Sequence, residues 1–186
     1  MEENNEQNQK EKIAEIFSKH FNHFGFKKTS VDEIAKELKM SKKTIYKHFS
    51  SKEKIFYHII SKVALRYSKN MEKKLVHFPT RQERINQLII MIFEETRKWL
   101  KQGNDAFEFK YKFEIAQIAF QDAYNVIFKK LIEEGNSLNE FKVTNPELAV
   151  RFINGIVSES MKLLSANPDL ELEGEVIESI RRLLKD

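Results

Sequence analysis

The stretch "MSKKTIYKHFSSKEK", Met40 to Lys54, carries six cations (Lys42, Lys43, Lys47, His48, Lys52 and Lys54) among a few apolar residues. Ser41 is a good helix cap, and Lys42 and Lys43 fall in the first turn of the helix it would open. That is the wrong charge for a helix start, where the macrodipole favours Asp or Glu by ~0.3–1 kcal/mol each. A helix that begins with residues weakening its own beginning asks for a reason outside the local chain.

The segments on either side start with the opposite charge. Upstream, in "TSVDEIAKEL", Ser30 and Glu33 read as a capping box, with Asp32 and Glu33 in the first turn and Ile34, Ala35 and Leu38 on one apolar side. Downstream, Ser50 and Glu53 read as a second box, opening a long helix with Ile55, Phe56, Ile59, Ile60, Val63, Ala64 and Tyr67 inward and fading near Leu75. Before both, Ile13, Ile16, Phe17, Phe21 and Phe24 give an amphipathic helix over 10–24, closed by Gly25.

The charge distribution follows this layout. The chain has 186 residues and a formal net charge of +4. Residues 10–54 hold twelve lysines against six acids, whereas residues 55–186 are nearly balanced, with 20 basic and 19 acidic side chains. An anionic partner for the first quarter is implied, a solvated lysine-rich face being the plainer alternative. The absence of cysteine removes disulfides, thiolate metal sites and a cysteine nucleophile. The polar, acidic start "MEENNEQNQKEK" is no signal or transit peptide, and no apolar run is long enough to span a bilayer. A soluble, cytoplasmic protein without a membrane partner is expected.

Five glycines and three prolines in 186 residues favour an all-α chain. Beyond Pro79, helical patterns fall at about 81–100, 105–121, 122–134, 146–164 and 174–184. "FEFKYKFEI", Phe107 to Ile115, alternates like a strand, but it has no plausible partner strand and a helical face (Ala106, Phe109, Phe113, Ala116, Phe120) runs through it, so it reads as helix. Three stretches result: a disordered tail over 1–9, a three-helix unit over 10–54, and a connecting helix with a larger helical body over 55–186.

Two short helices joined by a tight turn, in the most basic part of the chain, describe a helix-turn-helix, whose second helix places its N-terminal residues in the major groove of double-stranded DNA. At about 100° per residue, Ile45 and Phe49 share one side and should enter the core. Lys43 with Lys47, and Thr44 with His48, form the opposite side, flanked by Tyr46 and Lys42. On this reading Lys42 and Lys43 cost folding energy because a polyanion outside the protein offsets the penalty.

"KTSVDEIAKELKMSKKTIYKHFSSKEKIF", preceded by a helix ending in Phe24-Gly25-Phe26, resembles the DNA-binding domain of tetracycline-repressor-like (TetR/AcrR) transcriptional regulators. The resemblance implies that Thr29, Tyr46 and Lys52 contact phosphates, that Ser41 caps, and that Lys43, Thr44, Lys47 and His48 approach base edges. Tyr46 could instead pack into the core, and His48 could simply cover Phe49. The family usually has glycine in the turn where this chain has Lys39; a left-handed conformation there would cost roughly 1–2 kcal/mol, and a different turn would avoid it.

Further along, "LIEEGNSLNEF" followed by "NPELAVRFINGIVSESMKLL" resembles the family's approach to the first of two C-terminal helices, with Asn139-Glu140-Phe141 where Gly-Glu-Phe is frequent. In relatives these two helices pair with their copies in a homodimer. Leu148, Phe152, Gly155, Ile156 and Met161, with Ile177, Ile180 and Leu184, are the candidates here, although such stripes also suit the chain's own core. Aromatic residues gather in the body, where relatives hold an effector. Phe93, Trp99, Phe113, Phe120 and Tyr124 are the candidate lining, for an apolar or weakly polar small molecule; plain core is the alternative.

No cofactor is implied. His20-x-x-His23 has metal-compatible spacing, yet no carboxylate–histidine cluster completes it, and no phosphate loop or nucleophile elbow is present. The chain is therefore expected to be no enzyme but a dimeric transcriptional regulator of a palindromic operator, a repressor released by its effector. A helical protein that binds DNA without sequence choice is the alternative.

Overall fold

The computed structural model describes residues 2–101 and 106–185, with side chains over 5–101 and 113–185. It is all-α in these residues: α1 (Glu2–Phe24), α2 (Val31–Glu37), α3 (Lys42–His48), α4 (Lys52–Leu75), α5 (Arg81–Lys101), α6 (Ala106–Ser137), α7 (Pro146–Ala166) and α8 (Glu173–Lys185). None of the described helices is long and apolar enough to cross a membrane.

The chain divides into two compact units, Met1–Ala64 with Asp105–Ala119, and Leu65–Asn104 with Phe120–Asp186. The first is built on α1, α2, α3 and the start of α4. Its core gathers Ile13 and Phe17 from α1, Phe26 from the turn after it, Ile34 and Ala35 from α2, Ile45 and Phe49 around α3, and Ile55 and Phe56 from α4, with Ile115 of α6 packed against them. In the second unit, Ile85, Leu88, Ile89 and Phe93 of α5, Phe128 and Ile132 of α6, Ile153 and Leu164 of α7 and Ile180 of α8 are buried.

Several local expectations need correction. The tail expected to be disordered is helical from Glu2, supported by side-chain pairs one turn apart, Lys10 with Glu6 and Gln7 with Glu11. Ser30 makes no side-chain cap bond, so the first capping box is not formed. The cap of α4 is Ser51, whose Oγ accepts from Lys54 N at 3.3 Å, and not Ser50. The two helices expected over 105–121 and 122–134 are one, because Gln121-Asp122-Ala123 contains no breaker. "FEFKYKFEI" lies on this helix, as expected; the side chains of 106–112 are outside the described residues. A complete capping box went unread in "TRQE": Thr80 N and Oγ1 donate to Glu83, and Glu83 N donates back to Thr80 Oγ1 at 3.1 Å.

The turn between α2 and α3 keeps the left-handed conformation without glycine. Lys39 has φ 52°, Lys39 N donates to Lys36 O at 3.1 Å, and Met40 N donates to Ala35 O at 2.9 Å. This is a Schellman closure with lysine in the glycine position. Lys39 is exposed, so its side chain packs on little. Lys39→Gly is expected to stabilise the first unit by about 0.5–1 kcal/mol, the relieved strain less the greater freedom of glycine when unfolded. A rise in urea midpoint at unchanged slope would show it.

Candidate nucleic-acid interface

The seven residues of α3 are positioned from both ends. At the N-terminus, Ser41 Oγ accepts from Thr44 N at 3.0 Å and lies 2.8 Å from Thr44 Oγ1, closing the first turn. Ile45 (0% exposed) and Phe49 (7%) anchor one side in the core. Lys43, Tyr46 and Lys47 are exposed on the rest, with Tyr46 at 40%. The wheel drawn from sequence therefore matches the observed faces at Ile45, Phe49, Lys43 and Lys47, whereas Thr44 and His48 are half-buried, and Tyr46 does not enter the core.

The two lysines of the first turn have different surroundings. Lys42 Nζ donates to Asp32 Oδ2 of α2 at 2.8 Å, and that hydrogen bond and charge raise the lysine pKa above its ordinary value. Lys42 is therefore not held entirely for an external anion, and Asp32 offsets part of the unfavourable helix start. Asp32 had been legible only as a first-turn acid of its own helix; a partner ten positions away leaves no mark in local spacing.

Other members of the predicted set also have internal partners. Thr29 is 3% exposed, and its hydroxyl donates to Gly25 O at 2.7 Å, bracing the turn where Gly25 takes φ 81°. A phosphate contact through the Thr29 hydroxyl proton would require giving up that bond. Lys52 opens α4, with Nζ 3.3 Å from Lys27 O and 4.4 Å from the centre of the Phe26 ring. His48 is half-buried, with Nε2 2.8 Å from Gln9 Oε1. Gln9 was missed because it lay in the segment read as tail.

His20 pairs with Glu37 of α2 at 2.6 Å, while the His23 ring meets Phe24 edge-on. Among the described residues, no group of three or more His, Cys, Asp or Glu could hold a metal ion.

The pKa of His58 of α4 is depressed; burial lowers it first, and nearby Lys10 adds to the effect. Glu11 stands 3.4 Å away and pairs with Lys62. Below the ordinary histidine value of 6.5, the unfolded chain takes up a proton that the folded chain resists, so stability falls with pH through that window. His58→Gln should remove this loss. Urea titrations of both proteins at about pH 7.5 and about pH 5.5 check it.

The aromatic candidates separate. Phe113 falls in the first compact unit, and Phe93, Trp99, Phe120 and Tyr124 in the second. Phe93 is fully buried core. Phe120 meets Tyr124 at 5.9 Å and Tyr67 at 6.0 Å between ring centres. Burial, then the charges of Glu95 and Tyr67, holds the Tyr124 phenol well above its usual pKa, so it stays a neutral hydroxyl.

The dimer candidates also separate. Leu148 and Phe152 are 43% and 52% exposed, and Gly155 has open space beside it. Ile156 and Ile177 are half-buried. Met161 (3%), Ile180 (0%) and Leu184 (1%) are corrected to the chain's own core: α7 and α8 pack on each other and on α5, which takes those sides of both helices.

Residues 18–59 match the sequence model of the bacterial regulatory proteins of the tetR family. The HTH-type transcriptional regulator QacR of Staphylococcus aureus (strain Mu50 / ATCC 700699) is 26% identical over 192 residues, covering 90% of this chain and 98% of that protein. Among solved structures, FadR of Thermus thermophilus, a TetR-family transcriptional repressor in complex with lauroyl-CoA, superposes with TM-score 0.63 at 18% identity, covering 94% of this chain and 92% of that one. RolR in complex with resorcinol superposes with TM-score 0.68 at 10% identity, covering 98% and 90%. The helix-turn-helix built above lies within the matched segment, and that segment, residues 18–59, is of the tetR family of bacterial regulatory proteins.

Proposed function

We propose that this regulator is a homodimeric repressor that reads a palindromic operator and releases it when a small molecule binds in the second unit. The carrying observation is α3 itself, buried through Ile45 and Phe49 while Lys43, Tyr46 and Lys47 stand exposed in the most basic part of the chain. In this reading Lys43, Thr44 and Lys47 approach base edges, Tyr46 and Lys52 take phosphates, and the functional division is DNA binding by 10–54 and effector binding and dimerisation by 55–186. A helix-turn-helix needs half-sites about 34–36 Å apart, hence two copies. The exposed side of α7 at Leu148, Phe152 and Gly155, with half-buried Ile156, supports α7 as the surface that meets the second copy.

For the effector, the Tyr67–Phe120–Tyr124 cluster supports an apolar or weakly polar molecule, with the neutral Tyr124 hydroxyl to orient it. The solved relatives in complex with lauroyl-CoA and with resorcinol each hold a ligand with an apolar part, which agrees with that class. A differential affinity of about 2–3 kcal/mol between the two separations of the DNA-binding heads would change operator affinity roughly 30- to 150-fold.

Selection of duplexes from a randomised library at two salt concentrations tests the reading. A palindrome is the expected product. Lys43→Ala should then weaken the selected duplex about tenfold and leave random DNA little changed, whereas Lys52→Ala should weaken both alike. Enrichment of nothing, with steeply salt-dependent binding, would replace the sequence reader by a non-specific architectural protein.

A further inference from the structure

One short length of α1 touches two other helices of the first unit. Gln9 Oε1 lies 2.8 Å from Nε2 of His48, the last residue of α3. Two positions on, Glu11 pairs with Lys62 of α4 and stands 3.4 Å from His58 Nε2. Residues two apart on a helix point to different sides, so α1 holds α3 with one side and α4 with another. The circuit closes directly: Phe49, the C-cap of α3, meets the His58 ring edge-on at 5.4 Å between centres.

α3 has seven residues, too few to hold a helix by itself, so its existence and its aim are imposed by what it touches. Its N-terminal end is tied to α2 through Lys42 and Asp32. Its C-terminal end is tied to α1 through Gln9 and, beside that bond, to α4 through Phe49. We propose that Gln9 and Glu11 are positioning residues for DNA reading: together they form a strut that fixes the angle of α3 against α4. His48 is then the anchor of α3 and not a reader of bases. A shift of α4 reaches α3 through Glu11 and Gln9, which gives effector release a physical route within this unit. The inference rests on α3 being the helix that faces DNA.

The full chain and its Gln9→Ala, Gln9→Glu and Glu11→Ala variants are compared on two probes, the duplex that the wild-type chain enriches from a randomised library and a scrambled version of it. Gln9→Ala and Glu11→Ala should lower the affinity ratio between the probes about three- to tenfold, with the scrambled duplex bound as before. Gln9→Glu keeps an oxygen for His48 and should restore the ratio. An unchanged ratio in Gln9→Ala, or equal weakening on both probes, would overturn the strut.

A second readout is independent of DNA. In Gln9→Ala the amides of Ile45 and Phe49, bonded to Ser41 O and Ile45 O, should exchange about tenfold faster, while Leu38 and Met40 at the end of α2 keep their protection. Unchanged exchange, or acceleration spread evenly over the unit, would remove the proposal. If the wild-type chain enriches no duplex, the DNA reading itself falls, and exchange still decides whether the strut exists.

Discussion

Gly135→Ala is expected to destabilise the second unit by about 2 kcal/mol, although alanine is the better helix former. Gly135 lies inside α6, where alanine alone would gain ~1 kcal/mol. A Cβ there would stand 2.1 Å from Cδ2 and 2.3 Å from Cε2 of Phe141. The ring has no retreat. Phe141 is 3% exposed, Glu140 N and Phe141 N both donate to Gly135 O, at 2.8 and 3.3 Å, and Lys142 N donates to Leu184 O at 3.2 Å. Overpacking of this kind costs ~1–3 kcal/mol and occasionally more, so the clash outweighs the helix gain. The Gly135→Ala, Phe141→Leu double variant should cost less than the sum of its parts, because the smaller side chain makes room. Thermal melts of the four proteins test this, and a Gly135→Ala midpoint at or above wild type would sink it.

Arg97→Met is expected to cost about 2–3 kcal/mol, also in the second unit. The Arg97 guanidinium donates to Pro168 O at 3.2 Å, to Leu170 O at 2.7 Å, and through both terminal nitrogens to Glu173, pinning the connection from α7 to α8 against α5. The pair raises the arginine pKa and lowers that of the Glu173 carboxylate, which is also held by Leu172 N. Both side chains are only 22% and 23% exposed, so the loss strands a carboxylate and two carbonyls in poorly hydrated positions. Arg97→Lys should recover only part, since the three donors of a single ammonium nitrogen cannot reproduce the planar fork that reaches four acceptor oxygens. The sign with pH follows from Glu173: its folded pKa lies below its ordinary 4.5, so this stabilisation is present above 4.5 and is lost as pH falls through the folded value. Wild type and Arg97→Met should therefore converge in stability toward strongly acidic pH. A wild-type advantage that stayed constant across that range would show that packing, and not the ion pair, sets the cost.

The order and type of the helices were legible because each is amphipathic with its own period, and burial rewards that period directly. Ile45 and Phe49 could be assigned to the core, and Lys43 and Lys47 to the surface, from spacing alone. Ser41 could be named as the cap because its bond to Thr44 N closes within four residues. The family was legible for the same reason, its marks being packed into one continuous segment. What failed locally did so by small margins in register, as with Ser50 for Ser51, or because nothing in the sequence says where a helix without a breaker stops.

The tertiary structure decided which charges are shared. Lys42 with Asp32, His48 with Gln9, and Arg97 with Glu173 join residues far apart in the chain, and no periodicity encodes a partner on another helix. It also decided the sides of α7 and α8. The apolar stripe of each is broader than one interface, so the sequence could not say which part packs inward. In the folded chain Met161, Ile180 and Leu184 are covered, and Leu148, Phe152 and Gly155 are left exposed. The sequence by itself therefore determined the helices, the helix-turn-helix and the family of the segment that contains it. The choice of partners fell to tertiary packing, because hydrophobic burial is non-directional and only the completed arrangement of helices says which apolar and charged groups come within reach of one another.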